Sequence, residues 1–245
     1  MWIRQIWDRL IWDRLGGLDA ATRSIVGDGI AVGVATGAYG ISFGAISVAS
    51  GLDVWQSCAL SLLVFTGASQ FALVGVIGSG GSPFLGVVSG LLLGTRNMLY
   101  GVKVAPMLDW HGRRRAAAAH ILIDESSAMT LTRTSREHAR AGFLSTGLAV
   151  LVLWNLATLA GALAGDSLGD PRTYGLDAAV GGAFLGLLWP RLDTLRSRVA
   201  ALLGAAVALA LVPVTPAGVP VLAASVVALG LGLMSRDAAD TGEQP

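Results

Sequence analysis

Arg96, Asn97, Tyr100 and Lys103 lie near and beyond the midpoint of an otherwise apolar stretch, Pro83 to Asp109. An arginine at the bilayer centre costs roughly 2.5 to 3.5 kcal/mol on insertion scales, so it persists where it faces protein or water and usually marks a solute path. On a helix, the spacing of Arg96, Tyr100 and Lys103 puts all three on one face, with Asn97 adjacent. A guanidinium in a low-dielectric cleft grips a carboxylate through paired hydrogen bonds, while Tyr and Asn position the rest of a small zwitterion. The same arginine would serve equally as an interhelical lock if paired permanently with Asp124 or Glu125, and Lys103 can snorkel to the cytoplasmic surface.

Other polar residues interrupt apolar runs. Thr66, Gly67, Ala68, Ser69, Gln70 and Phe71 occupy the middle of one such run. Small residues beside Ser69 and Gln70 would let a helix unwind or approach a ligand, exposing backbone groups and an amide, although interhelical hydrogen bonding would use the same residues. Asp124 and Glu125 sit in a weakly apolar stretch between two basic clusters, as a helix N-terminal acid pair or as a proton or amine site reaching into the bundle. Asp177 lies about one turn inside a further apolar segment and can bind an ammonium or a proton, or simply be hydrated. Trp154 and Asn155 share the centre of another segment, where they either line a cavity or pack it.

The elements that position these residues are membrane helices. The 245-residue chain is 53% hydrophobic and 13% charged, with 33 glycines and a mean hydropathy of +0.66, outside the ordinary soluble range. A span needs about 20 apolar residues, and no charge occurs from Val54 to Thr95, from Ala141 to Gly165 or from Val199 to Ser235. The expected fold is an all-α polytopic membrane bundle of about six to seven segments, with one re-entrant or broken segment as the alternative to full crossings throughout. The segments run approximately over Ile30–Ser50, Val54–Ile77, Pro83–Leu108, Phe143–Ala164, Tyr174–Pro190, Val199–Val212 and Val219–Met234. A tandem Ile-Trp-Asp-Arg-Leu repeat at Ile6–Leu10 and Ile11–Leu15 gives apolar residues at helical spacing, which points to an amphipathic interfacial helix within residues 1–25. Residues 26–235 then form one transmembrane bundle with a connection over 109–140, and 236–245 a tail. Glycines four apart, such as Gly33 and Gly37 or Gly86, Gly90 and Gly94, leave smooth stripes for close helix packing.

Lys and Arg concentrate in cytoplasmic loops. Arg113, Arg114, Arg115, Arg133, Arg136 and Arg140 place the 109–140 connection inside, and Arg236 places the C-terminus inside. Three full crossings before that connection would put the N-terminus outside, against its own arginines. Either the N-terminus is external or one early segment enters and leaves on the same side.

No Gly-rich phosphate loop accompanies a Lys-Ser/Thr pair, so the chain should not hydrolyse ATP. The histidines lack metal-site spacing, the single Cys58 offers no disulfide or cysteine-based metal site, and there is no Gly-x-Ser-x-Gly element. No cofactor, metal or nucleic-acid partner is expected; the arginines flank spans instead of forming one basic face. The N-terminus has no short apolar core and cleavage site of the secretory type.

In order along the chain, Ser42-Phe43-Gly44, Gly51-Leu52, Thr66–Phe71 (T-G-A-S-Q-F), Arg96–Gly101 (R-N-M-L-Y-G), Asp124-Glu125, Trp154 and Gly175–Ala179 resemble the AzlC family, the large subunit of two-component branched-chain amino acid exporters. The duplicated N-terminal segment departs from the usual family pattern, and the Asn97 position can carry another polar residue in the family. The resemblance implies a multi-pass protein of the cytoplasmic (inner) membrane that exports branched-chain and similar neutral amino acids. It would work with a small AzlD-like membrane subunit, driven by an ion gradient or the membrane potential, with no enzymatic activity. On this reading Arg96, Asn97, Tyr100, Gln70, Ser69 and Thr66 form the substrate site, and Asp124, Glu125 or Asp177 takes the amine or a coupling proton. A non-transporting subunit that scaffolds a partner carrying the solute path is the competing expectation. An ion channel would need a ring of charge or carbonyls that a single chain does not supply.

Overall fold

The computed structural model describes residues 19–168, 192–216 and 218–240, together with Leu185, Leu188 and Trp189. Residues 1–18, with the duplicated segment, and most of Tyr174–Pro190, with Asp177, lie outside the described residues. Among those described, every regular element is a helix: α1 Ala20–Ala49, α2 Val54–Leu63, α3 Ala68–Gly78, α4 Pro83–Leu108, α5 Gly112–His120, α6 Asp124–Leu131, α7 Arg136–Leu168, α8 Leu195–Leu211 and α9 Val219–Asp240. Two of them, Ala20–Ala49 and Arg136–Ser167, are long and apolar enough to cross a membrane by length and composition.

The burial pattern departs from that of a water-soluble fold. Large apolar side chains point outward, among them Trp55 at 80% exposure, Val102, Leu156 and Leu209, while Ser47, Ser57, Ser61, Gln70, Ser89, Thr146 and Thr158 are fully buried. In lipid, apolar surface needs no partner and hydroxyls and amides are satisfied between helices, which is the distribution expected of a membrane bundle.

The chain divides into two compact units. The first comprises the chain up to Gly40 with Arg96–Leu156. Here α1 and α7 pack through small residues in register: Gly29 meets Ser145, Gly33 meets Ala149, and Gly37 meets Leu153, where an added Cβ would sit 2.6 Å from Leu153 Cβ. Both numbers rise together, so the two helices run parallel. At their starts Asp19 Oδ2 caps α1 by accepting the Ala21 N–H at 3.1 Å and lies 3.9 Å from His138 Nε2. The sequence expectation put the first segment at Ile30 and the fourth at Phe143, following hydropathy alone. Hydrogen bonding carries both helices back, to Ala20 and Arg136, through polar residues that a hydropathy window excludes. A small core of Val104, Leu108, Ile121 and Phe143 closes this unit. Arg140 Nε donates to Leu108 O at 2.8 Å, and its guanidinium lies over Trp110, so the end of α4 is fastened beside the start of α7.

The second unit comprises Ile41–Thr95 and the chain from Ala157 onward. Its first feature is the stretch expected as one segment over Val54–Ile77, which is two half-length helices separated by Val64–Gly67. Each half, at 10 and 11 residues, is about 15 Å long, half the hydrocarbon thickness. Asp53 starts α2 with a reciprocal cap, accepting the Gln56 N–H at 2.7 Å while Gln56 Oε1 accepts the Asp53 N–H. Gly67, at φ +63°, reverses the chain in a conformation that side chains rarely adopt. The start of α2 lies beside the end of α1, with the Ser47 and Ser57 hydroxyls hydrogen-bonded at 2.6 Å. One turn on, Ser61 donates to Thr158 Oγ1 at 3.2 Å, and Thr158 packs on Gly44. The end of α3 then returns to Ser50, against Gly78. The α2–α3 pair therefore opens and closes at the same end of α1. The sequence left two options for the early topology, and a path out and back at one end of α1 is the geometry that a segment entering and leaving on one side requires. Helix α4 next descends α3, Gly86 against Leu73 and Gly90 against Ser69, and α8 and α9 pack on each other.

Candidate functional site

The structure gathers the expected residues into two polar clusters, one in each unit. In the first unit, Arg96 occupies the middle of α4, a 26-residue helix. Its Nη1 lies 3.0 Å from Asp124 Oδ2, with the side chains 26% and 20% exposed. Asp124 and Glu125 are the first two residues of α6, where acids are favoured by the positive end of the helix dipole. That helix start is fixed by Ser126, a fully buried residue whose hydroxyl accepts the Ile123 N–H at 3.0 Å and donates to Ile121 O at 2.7 Å. Thr130 Oγ1 in turn donates to Ser126 O.

Asn97, next to Arg96 in the chain, has its Oδ1 buried and without a hydrogen-bond partner. Tyr100 and Glu125 are half-buried, whereas Lys103 is exposed. Arg96 and Asp124 thus form a partly enclosed charge pair. A group carrying both a carboxylate and an ammonium matches such a pair, because it can insert between the charges without changing the net charge of the site.

In the second unit, Thr66, Ser69 and Gln70 surround the break between α2 and α3. Gln70 is fully buried, and its Nε2 donates to Leu60 O at 3.2 Å and Ser61 O at 3.1 Å. These carbonyls belong to the last turn of α2, so the amide closes the helix end that the break leaves open. Its Oε1 is buried with no hydrogen-bond partner. Thr66 Oγ1 donates to Val64 O at 3.3 Å, and Ser69, 4% exposed, packs under Gly90 and Gly94 of α4. Phe43 stacks edge-on against Phe71, with centroids 5.4 Å apart, behind this cluster.

Of the remaining candidates, Asp177 lies outside the described residues. Trp154 is buried, and Asn155 Nδ2 bonds back to Leu151 O within α7, so its amide is spent on its own helix. Among the described residues no group of His, Cys, Asp and Glu is placed to hold a metal. The sequence reading missed the buried hydroxyls that flank the clusters: Ser126, Ser127 and Thr130 on α6, and Ser47, Ser57, Ser61 and Thr158 around α2. The four-residue spacings of Ser57 with Ser61 and of Ser126 with Thr130 were the available signal. Residues 31–168, from within α1 to the end of α7 and including both clusters, match the family model described as AzlC protein. No curated protein and no solved structure matches the chain.

Proposed function

The chain belongs to the AzlC family, a transporter-associated membrane family linked to branched-chain amino acid transport, and we propose that it is the large subunit of a secondary exporter. Its substrates are branched-chain and related neutral amino acids, and it acts with a small AzlD-like membrane subunit in the cytoplasmic membrane. The observation that carries this reading is the Arg96–Asp124 pair at 3.0 Å, placed on a bilayer-length helix inside the family match.

In the proposed cycle the substrate carboxylate displaces Asp124 from Arg96, and the released Asp124, with Glu125 beside it, takes the substrate amine or a coupling proton. Asn97 and Tyr100 position the backbone of the amino acid; Thr66, Ser69 and Gln70 supply the second polar cluster. Apolar walls accept Val, Leu or Ile with little discrimination, since one methylene is worth only about 1 to 3 kcal/mol. Asp177 stays a candidate for the amine or proton. The bundle spans 26–235, with the arginine-rich 109–140 connection and the 236–245 tail on the cytoplasmic side.

The same ion pair joins α4 to α6, which favours a second reading, a structural subunit in which Arg96 is a permanent lock. Efflux separates the two. Cells loaded with valine- and leucine-containing dipeptides should release the free amino acids faster when both subunits are present than with either alone. Unchanged efflux, with both proteins verified in the membrane, would leave the scaffold reading.

A further inference from the structure

Gln70 presents an unsolved problem at the α2–α3 break. Its two donor bonds, to Leu60 O and Ser61 O, fix the orientation of the amide, because flipping it would set Oε1 against two carbonyl oxygens. Oε1 is therefore a fully buried acceptor with no hydrogen-bond partner. Such an atom costs about 1 to 3 kcal/mol unless something fills it. The helix end that Nε2 touches carries further acceptors. Nε2 occupies Leu60 O and Ser61 O, and the Thr66 hydroxyl takes Val64 O, so the carbonyls of Leu62 and Leu63 are the ones that the end of α2 presents at the negative end of its dipole. Beside them the break leaves room, since a Cβ added at Gly67 would meet nothing within 4 Å.

We propose that the α2–α3 break is a monovalent-cation site in which Gln70 Oε1 and the terminal carbonyls of α2 act as neutral oxygen ligands. Half-helix ends and unwound carbonyls serve cations in this way at membrane depth. The absence of a carboxylate from these ligands favours a singly charged ion over a divalent one. The shared chemistry has two sources, a free alkali ion or the ammonium group of a transported amino acid. The second source rests on the exporter reading, whereas the site itself does not.

The test is thermal unfolding of the purified full-length chain in detergent, at constant ionic strength, with choline replaced stepwise by sodium, potassium or methylammonium. A cation that binds only the folded state raises the melting temperature saturably. A saturable rise with sodium or potassium assigns a free alkali ion, and one with methylammonium assigns the substrate amine. Either rise should vanish in Gln70→Leu and persist in Gly75→Ala, where an added Cβ meets nothing within 4 Å. If Gln70→Leu does not fold, Gln70→Glu, which keeps an oxygen and adds charge, should shift the half-saturating concentration downward. Equal curves in all four salts, or a rise that survives both Gln70 changes unaltered, would overturn the site. No amino acid is present in this series, so its failure is separate from failure of the efflux experiment.

Discussion

Arg96 and Asp124 face each other at 3.0 Å, one from the middle of α4 and the other from the first residue of α6. The pair is enclosed enough that removing one partner leaves an uncompensated charge, a loss of about 3 to 5 kcal/mol where burial is complete. Both readings of the pair therefore expect single substitutions to be damaging. They differ in what a reversal of the two charges should do.

Conformational strain at the break gives a second prediction. Gly67 has φ +63° and ψ −87°, where a side chain costs about 1 to 3 kcal/mol. Gly67→Ala should lower the yield of folded protein or, where folded, slow transport by stiffening the turn. Gly75→Ala, in the same unit with open space around it, should be neutral or slightly stabilising by helix propensity. Equal behaviour of the two variants would remove any special role for the Gly67 turn.

The hairpin path of α2 and α3 predicts label accessibility. In a Cys58→Ser background, Leu52→Cys and Ser82→Cys flank the hairpin and should react with an impermeant maleimide from the same side of the membrane. With the arginine-rich connection inside, that side is the outer one. Labelling from opposite sides would mean that α2 and α3 together make a full crossing.

Much of this was legible in the residues, and the rest was hidden for identifiable reasons. The third segment, Pro83–Leu108, was read with its observed bounds because Pro83 starts it and a charged, polar stretch ends it. The break near Thr66–Gln70 was suggested by small residues within an apolar run, but its direction of return was not. Hydropathy has no sign for direction, and that information sits in pairwise contacts such as Ser47 with Ser57 and Ser50 with Gly78. Within the 109–140 connection the sequence showed charge and not structure. Helix α5 has no buried residue, while α6 buries Ser126, Ser127 and Thr130, which a hydrophobic pattern cannot detect. The partnering of Arg96 with Asp124, two residues far apart in the chain, was one of two named options because both charges are rare inside a bundle.

Close packing of α1 on α7 supplies another prediction. Gly37→Leu would push a side chain into the Leu153 backbone, with the first added carbon already 2.6 Å from Leu153 Cβ, and overpacking of this kind costs about 1 to 3 kcal/mol. Membrane abundance, read by blotting or by a fluorescent fusion, should fall severalfold. Gly27→Ala, where nothing lies within 4 Å, should leave abundance unchanged. Unchanged abundance in Gly37→Leu would contradict the parallel α1–α7 contact.

The central claim is that the Arg96–Asp124 pair opens to admit the substrate. Its most direct test is leucine counterflow in proteoliposomes containing both subunits, comparing wild type with Arg96→Asp, Asp124→Arg and the double exchange. The double exchange restores the attraction between α4 and α6 while moving the guanidinium off α4. The account predicts that it recovers abundance and thermal stability toward wild type but leaves counterflow at background. Recovery of counterflow along with stability would show a lock whose position and polarity do not matter to the substrate, and would contradict the claim.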